Sequence, residues 1–187
     1  MKNYLLIIII FVWFGSQNAQ EMPIPIDVQY KLFSKILTYE RNLKEDNDEI
    51  LIGIIYQDLF RTSLLTKNEF IENFNKSAQK SIDNIPIHCK TISLNSEKEL
   101  IETLESSEID ILYVTPLRSF NLKTIVQESR KNKILTMSGV PEYIEAGLSV
   151  GIGISGNNPQ ILINLPASKA EGANFSSKLL KIAKIIK

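Results

Sequence analysis

Apolar residues recur along this chain in two rhythms. ILIGIIY (50–56) is an unbroken, largely β-branched run, the pattern of a strand buried on both faces. IPIHCKTI (85–92), DILYV (110–114) and KILTMS (133–138) repeat it. Between these runs the spacing becomes helical. Val28, Leu32 and Ile36 recur at i+4 with Phe33 and Leu37 beside them, predicting an amphipathic first helix of about four turns. Thr66 and Glu69 stand in capping-box spacing ahead of Phe70, Ile71 and Phe74, and Ser96 and Glu99 do so ahead of Leu100, Ile101 and Leu104. Residues 121–131 supply a third connecting helix. Strand and helix alternating in this way predict an α/β fold. Its form is a three-layer α/β/α sandwich around a mostly parallel sheet, with a C-terminal antiparallel hairpin and a final helix.

The hairpin is predicted from a misleading motif. GIGISG (151–156) fits G-x-G-x-x-G, the spacing with which a strand–turn–helix unit holds a dinucleotide pyrophosphate. Its context points elsewhere. Val150, Ile152 and Ile154 alternate with small residues through the motif, SGNNPQ is turn chemistry, and ILINL resumes as a strand. With no helix amino terminus after the third glycine, no cluster of N–H groups meets a phosphate. No cofactor is expected. The end of the chain, SSKLLKIAKIIK, reads as a lysine-rich helix with apolar residues on more than one face. It is suited to docking on the sheet with its lysines outward, or to a membrane surface or partner.

Charge and composition narrow the function. The first residues place Lys2 before ten apolar positions, Leu5 to Phe14. A helix of that length rises about 15 Å, too short for a bilayer core. The segment is expected to be a secretory signal peptide cut after Ala19, the alternative being an uncleaved anchor. The mature chain, residues 20–187, is expected to be a single exported domain with no transmembrane segment. The whole sequence holds 21 Lys+Arg and 21 Asp+Glu, and losing Lys2 leaves a net charge of −1. That balance offers nucleic acid no basic face.

Candidate chemistry is sparse. Cys89 is the only cysteine, so no intramolecular disulfide forms, and His88 is the only histidine. One adjacent His–Cys pair does not make a metal site. Asp46 and Asp48 lack the glycine and distal glutamate of a calcium loop. A serine nucleophile would need a positioned base, and there is no G-x-S-x-G elbow. No catalytic residue is assigned and no enzyme activity is expected.

Asn164 in ILINL, then Gly172, then Ser176, Ser177, Lys178, Leu179 and Leu180, resemble the C-terminal signature of the YfiR/HmsC-like family of periplasmic regulatory proteins. ILTMSGVPEYIEAG (134–147) is similar to the family's preceding segment and QYKLFSKILTYE to its first helix. The chain departs from the family at Gly139, where an acidic residue is usual, at Ala146, where a glycine is usual, and after Tyr39, where Trp-Pro is missing. The resemblance implies a periplasmic α/β sandwich, often a homodimer. It implies repression of a membrane-bound diguanylate cyclase, which makes cyclic-di-GMP, by binding that enzyme's periplasmic sensor domain. The signature residues are implied to be mainly structural. Redox-sensing members use paired cysteines, which Cys89 alone does not provide.

The expected function is therefore a non-catalytic periplasmic regulator of a membrane-bound sensor protein. The alternative is a small-ligand-binding module resembling one lobe of a solute-binding protein. Open parallel sheets bind ligands at the carboxyl ends of their strands, here near residues 56–58 and 115–118, where Arg118 is placed to meet an anion or a partner.

Overall fold

The computed structural model describes residues 22–44 and 48–187. The export segment with its cut after Ala19, and Asp46 of the acidic loop, lie outside the described residues.

Helix α1 (Ile26–Leu37) leads into strand β1 (Ile50–Tyr56), helix α2 (Arg61–Lys76), the short strand β2 (Ser81–Ile82) and strand β3 (Ile85–Ser93). Helix α3 (Glu97–Ser106), strand β4 (Ile111–Val114), helix α4 (Leu122–Asn132) and strand β5 (Leu135–Ser138) follow. The chain closes with helix α5 (Pro141–Glu145), strands β6 (Val150–Ser155) and β7 (Asn158–Asn164), helices α6 (Leu165–Ala170) and α7 (Ser177–Ile182), and strand β8 (Lys184–Ile186). The sheet order is β2-β3-β1-β4-β5-β6-β7-β8. From β3 to β6 every pairing is parallel; β7 returns antiparallel to β6, and β8 runs parallel to β7.

Unbroken apolar runs become central strands because helices cover both faces of the sheet. In β1, Ile50, Ile52 and Ile54 face one core with Tyr30 and Phe33 of α1, Phe70 of α2 and Leu179 of α7. Ile55 faces the other, with Leu100 and Leu104 of α3, Ile125 and Val126 of α4 and Ile144 of α5. In β4, Ile111 and Tyr113 go to the first core and Leu112 and Val114 to the second. The three-layer sandwich is thus the alternation of side chains along each strand, read twice.

Small residues mark close approach. A Cβ on Gly151 would lie 2.3 Å from Ile144 Cγ1, so α5 lies against β6 only because that position is bare. A Cβ on Gly139 would sit 2.0 Å from Gln29 Oε1. Gln29, fully buried, reaches there from α1, donating to Ile24 O at 2.7 Å while Tyr113 Oη donates to its Oε1 at 3.1 Å.

Three expectations need correction. The helix after β1 begins at Arg61, not at a Thr66 cap; the Thr66 hydroxyl lies inside α2 and donates back to Thr62 O at 2.8 Å. The spacing of Thr66 and Glu69 matches a cap by coincidence. The lysine-rich end is not one helix. Ala183 turns extended (φ −86°, ψ 149°), and Lys184–Ile186 joins the sheet beside β7. Pairing with β7 satisfies backbone groups that a solvent-facing last turn would leave to water. The turn of the late hairpin is only Gly156 and Asn157, with Gly156 at φ +59°; Asn158 and Pro159 already belong to β7. The sheet also gains a β2–β3 hairpin whose Asp83 and Asn84 take positive φ, the geometry of a tight two-residue turn.

Candidate functional site

Parallel strands deliver their carboxyl ends to one rim, and β1 lies where the connections diverge, between β3 and β4. Such a switch point opens a crevice in α/β sheets. Here it holds an open cleft of about 380 Å³, lined by Gln57–Phe60 after β1, Leu94 and Asn95 after β3, and Arg118 and Ser119 after β4.

Hydroxyls hold the floor of this cleft. Thr115 Oγ1 donates to Ile55 O at 2.8 Å and is paired with Ser63 Oγ at 2.6 Å; both residues are fully buried. Ser63 Oγ accepts from Gln57 N at 2.8 Å. The Gln57 amide then ties two loops together, donating to Arg118 O at 3.0 Å and accepting from Arg118 N at 2.7 Å. Both loops are thereby set by hydrogen bonds to the Gln57 carboxamide, while their charged side chains stay at the rim.

The rim carries both signs of charge. Asp58 accepts from the Ser93 hydroxyl. Burial, and then the neighbouring Asp58, push the Tyr56 phenol above its ordinary range. Arg118 is exposed. Leu59, between Asp58 and the start of α2, is fully exposed. One carboxylate, one guanidinium, carboxamides and an apolar tip suit recognition of a polar ligand or a protein surface.

The sequence-identified signature gathers at the opposite rim and beneath it. Asn164 Oδ1 caps α6 by accepting from Ala167 N at 3.0 Å, and its Nδ2 donates to Ile144 O at 2.9 Å. Gly172, at φ +89°, ends α6 in a left-handed turn that a side chain would strain. Ser176 caps α7 by accepting from Leu179 N at 3.4 Å, and its own N–H donates to Tyr39 O at 3.0 Å. Leu179 is fully buried, Leu180 packs against the first core, and Lys178 lies over the Tyr39 ring, 5.7 Å from its centroid. Ser177 opens α7. The signature is not brought together with Arg118.

Two buried glutamates escaped the sequence reading. Glu171 accepts from Thr136 N and Thr136 Oγ1, each at 2.8 Å, and from Ser149 Oγ. Burial pushes its carboxyl up to about 7, against the pull of those donors and of Arg130. Glu40 Oε1 accepts from Asn42 N at 3.2 Å and Asn174 N at 2.6 Å, and its Oε2 from Leu43 N. Both residues line a cavity of about 190 Å³ with Asp110 and Lys133. Nothing in periodicity singles out these acids, because their burial follows from tertiary placement.

Cys89 and His88 part company as neighbours on a strand do. Cys89 packs against the first core, its thiol pushed up to about 12 by burial, while His88 Nε2 lies 3.5 Å from exposed Glu49. Among the described residues no cluster of three or more His, Cys, Asp or Glu is placed to hold a metal, and no helix is long and apolar enough to cross a membrane. The hairpin glycines 151–156 meet no helix amino terminus; they run through β6 into the turn.

The sequence model of one family, described as YfiR/HmsC-like, matches residues 54–184. No curated protein matches the chain. Among solved structures, an ABC domain in complex with L-Trp from Streptococcus pneumoniae aligns with TM-score 0.62 at 15% identity, covering 87% of this chain and 60% of that one. A conserved domain protein from Vibrio cholerae aligns with TM-score 0.60 at 13% identity, with coverages of 87% and 60%. A ligand-free, open substrate-binding protein with adhesive properties from Clostridium difficile aligns with TM-score 0.57 at 17% identity, covering 88% and 60%. The chain spans about 60% of the length of each of these structures, and at such identities the likeness is one of fold.

Proposed function

The chain belongs to the YfiR/HmsC-like family, and from that membership we propose that it is a non-catalytic periplasmic regulator. It binds the periplasmic sensor domain of a membrane signalling protein, a diguanylate cyclase in the first instance, and holds that protein in its inactive state. The observation that carries this reading is the family match over residues 54–184; the export-type amino terminus is consistent with it. Function divides among partners faster than fold, so the identity of the cyclase is the part most exposed to test.

A regulator of this kind works by differential affinity. It shifts a two-state sensor only as far as it binds one state better than the other. A preference of about 3 kcal/mol corresponds to roughly hundredfold repression. Deleting the protein from its own cell should raise cyclic-di-GMP, and restoring it should lower the level again. The immobilised mature chain should retain a membrane sensor from detergent-solubilised membranes. Unchanged cyclic-di-GMP together with no retained sensor would remove the proposal.

A second reading is favoured by the cleft at the strand ends. The fold is shared with substrate-binding proteins and with a domain solved in complex with L-Trp. Here the same kind of rim presents Asp58 and Arg118, charges of opposite sign suited to a small zwitterion. In this reading ligand occupancy of the cleft tunes the regulator. A thermal-shift screen of amino acids and related metabolites tests it, a ligand-dependent rise that Arg118→Ala abolishes being the supporting result.

A further inference from the structure

β8 is the last strand in the sheet, and among the described residues nothing pairs with its outer edge. Its apolar residues hold it in place, Ile185 against the first core and Ile186 against the second. Lys184 is exposed, and Ile182, just before the strand, is 65% exposed although it is a large apolar side chain. Residues 172–187 contain Lys178, Lys181, Lys184 and Lys187 and no acidic side chain.

A free edge is a row of unpaired N–H and C=O groups ready to template another strand. Edge lysines select which strand is accepted. A second copy pairing about a two-fold axis would bring the lysines of one edge against those of the other, and like charges across a pair destabilise. An acidic strand meets attraction at the same positions. Strand addition takes its affinity from backbone bonds and its specificity from side chains.

We propose that the outer edge of β8 receives an extended, acidic segment of a partner protein, with Ile182 as the apolar anchor and Lys181 and Lys184 meeting its carboxylates. The inference rests on the reading of this protein as one that docks on another, and it names the docking element and the chemistry of the docked segment. Its test needs no membrane partner, so the two fail separately.

The probe is a short labelled peptide of alternating glutamate and valine, with a lysine–valine counterpart, titrated into the full mature chain by fluorescence anisotropy. The acidic peptide should bind saturably, more weakly as salt rises, and should slow amide exchange at residues 184–186. The basic peptide should bind about tenfold more weakly or worse. In the double variant Lys181→Glu and Lys184→Glu the preference should reverse; both side chains are exposed, so the thermal melt should be unchanged. Equal binding of the two peptides, no binding of the acidic one, protection elsewhere in the chain, or an unreversed preference would each overturn the proposal. So would binding to phosphatidylglycerol vesicles without binding to the acidic peptide, which would assign the lysines to a lipid surface.

Discussion

The hydroxyl of Thr136 donates to Glu171 Oε1 across 2.8 Å in the interior, joining the start of β5 to the end of α6. The Thr136 N–H and the Ser149 hydroxyl reach the other oxygen of the same carboxyl group. Glu171 is 2% exposed, and burial raises its carboxyl from 4.5 to about 7. A raised carboxyl binds its proton more tightly in the folded chain than in the unfolded one. Its stabilising contribution is therefore complete below 4.5 and is lost as pH rises towards 7. The amplitude is on the order of 3 kcal/mol. Glu72, whose carboxyl the neighbouring Lys76 lowers, slopes the opposite way, so the difference from Glu171→Gln is the quantity to read. Thermal melts from pH 4 to 8 should show the wild type losing ground to that variant across the window; parallel curves would remove the claim.

Gly139 and Gln29 are a lock of another kind. Gly139→Ala places a methyl group on the Gln29 carboxamide and should destabilise by about 1–3 kcal/mol. Gln29→Ala frees the space but leaves Ile24 O and Tyr113 Oη without that partner. The double variant should therefore be less destabilised than the two single effects added, measured by urea denaturation. Strict additivity would contradict the contact.

Asn164 performs two tasks, capping α6 and holding α5 through Ile144 O. Asn164→Ala should cost about 1–2 kcal/mol. Asn164→Ser keeps an N-cap oxygen and loses only the donor to Ile144 O, so it should recover part of that loss. Equal losses in the two variants would mean that the cap contributes nothing.

Cys89 should be chemically quiet. Its thiol is raised from 9.0 to about 12, so the thiolate fraction at pH 8 falls roughly a thousandfold. Alkylation by iodoacetamide should be correspondingly slow in the native protein and fast in urea. Rapid native labelling, or a dimer band on a non-reducing gel, would refute this.

Arg118 and Gln57 should separate fold from recognition. The Arg118 side chain is exposed and its N–H stays bonded to Gln57, so Arg118→Ala should leave the melting temperature nearly unchanged. Gln57→Ala removes both bonds between the β1 and β4 loops and should destabilise by about 1–2 kcal/mol. A large loss of stability in Arg118→Ala would show that the guanidinium is structural.

Much of this architecture is legible in the sequence because β1 and β4 are unbroken apolar runs between helical spacings, a signal that survives any tertiary context. β2 is not legible: two residues carry no periodicity, and Asp83-Asn84 declares itself only once φ turns positive. The tail LLKIAKIIK satisfies helical spacing and a strand equally well, and the neighbouring β7 decides between them at Ala183. At the rim, residues 56–58 and 115–118 were readable from topology. The contact of Asp58 with Ser93, 35 positions away, was not. Glu171 was hidden for the same reason, since only the placement of α6 under β5 makes that acid an interior group.

Glu40 holds Asn174, 134 positions further along, while Arg41 N donates to Asn174 O and Ser176 N to Tyr39 O. The segment just after the opening helix is thus fastened by a stretch more than 130 positions further along the chain. Until that stretch has left the ribosome the fastening cannot form, so a nascent chain makes this contact only after strands β1 to β7 have all been synthesised.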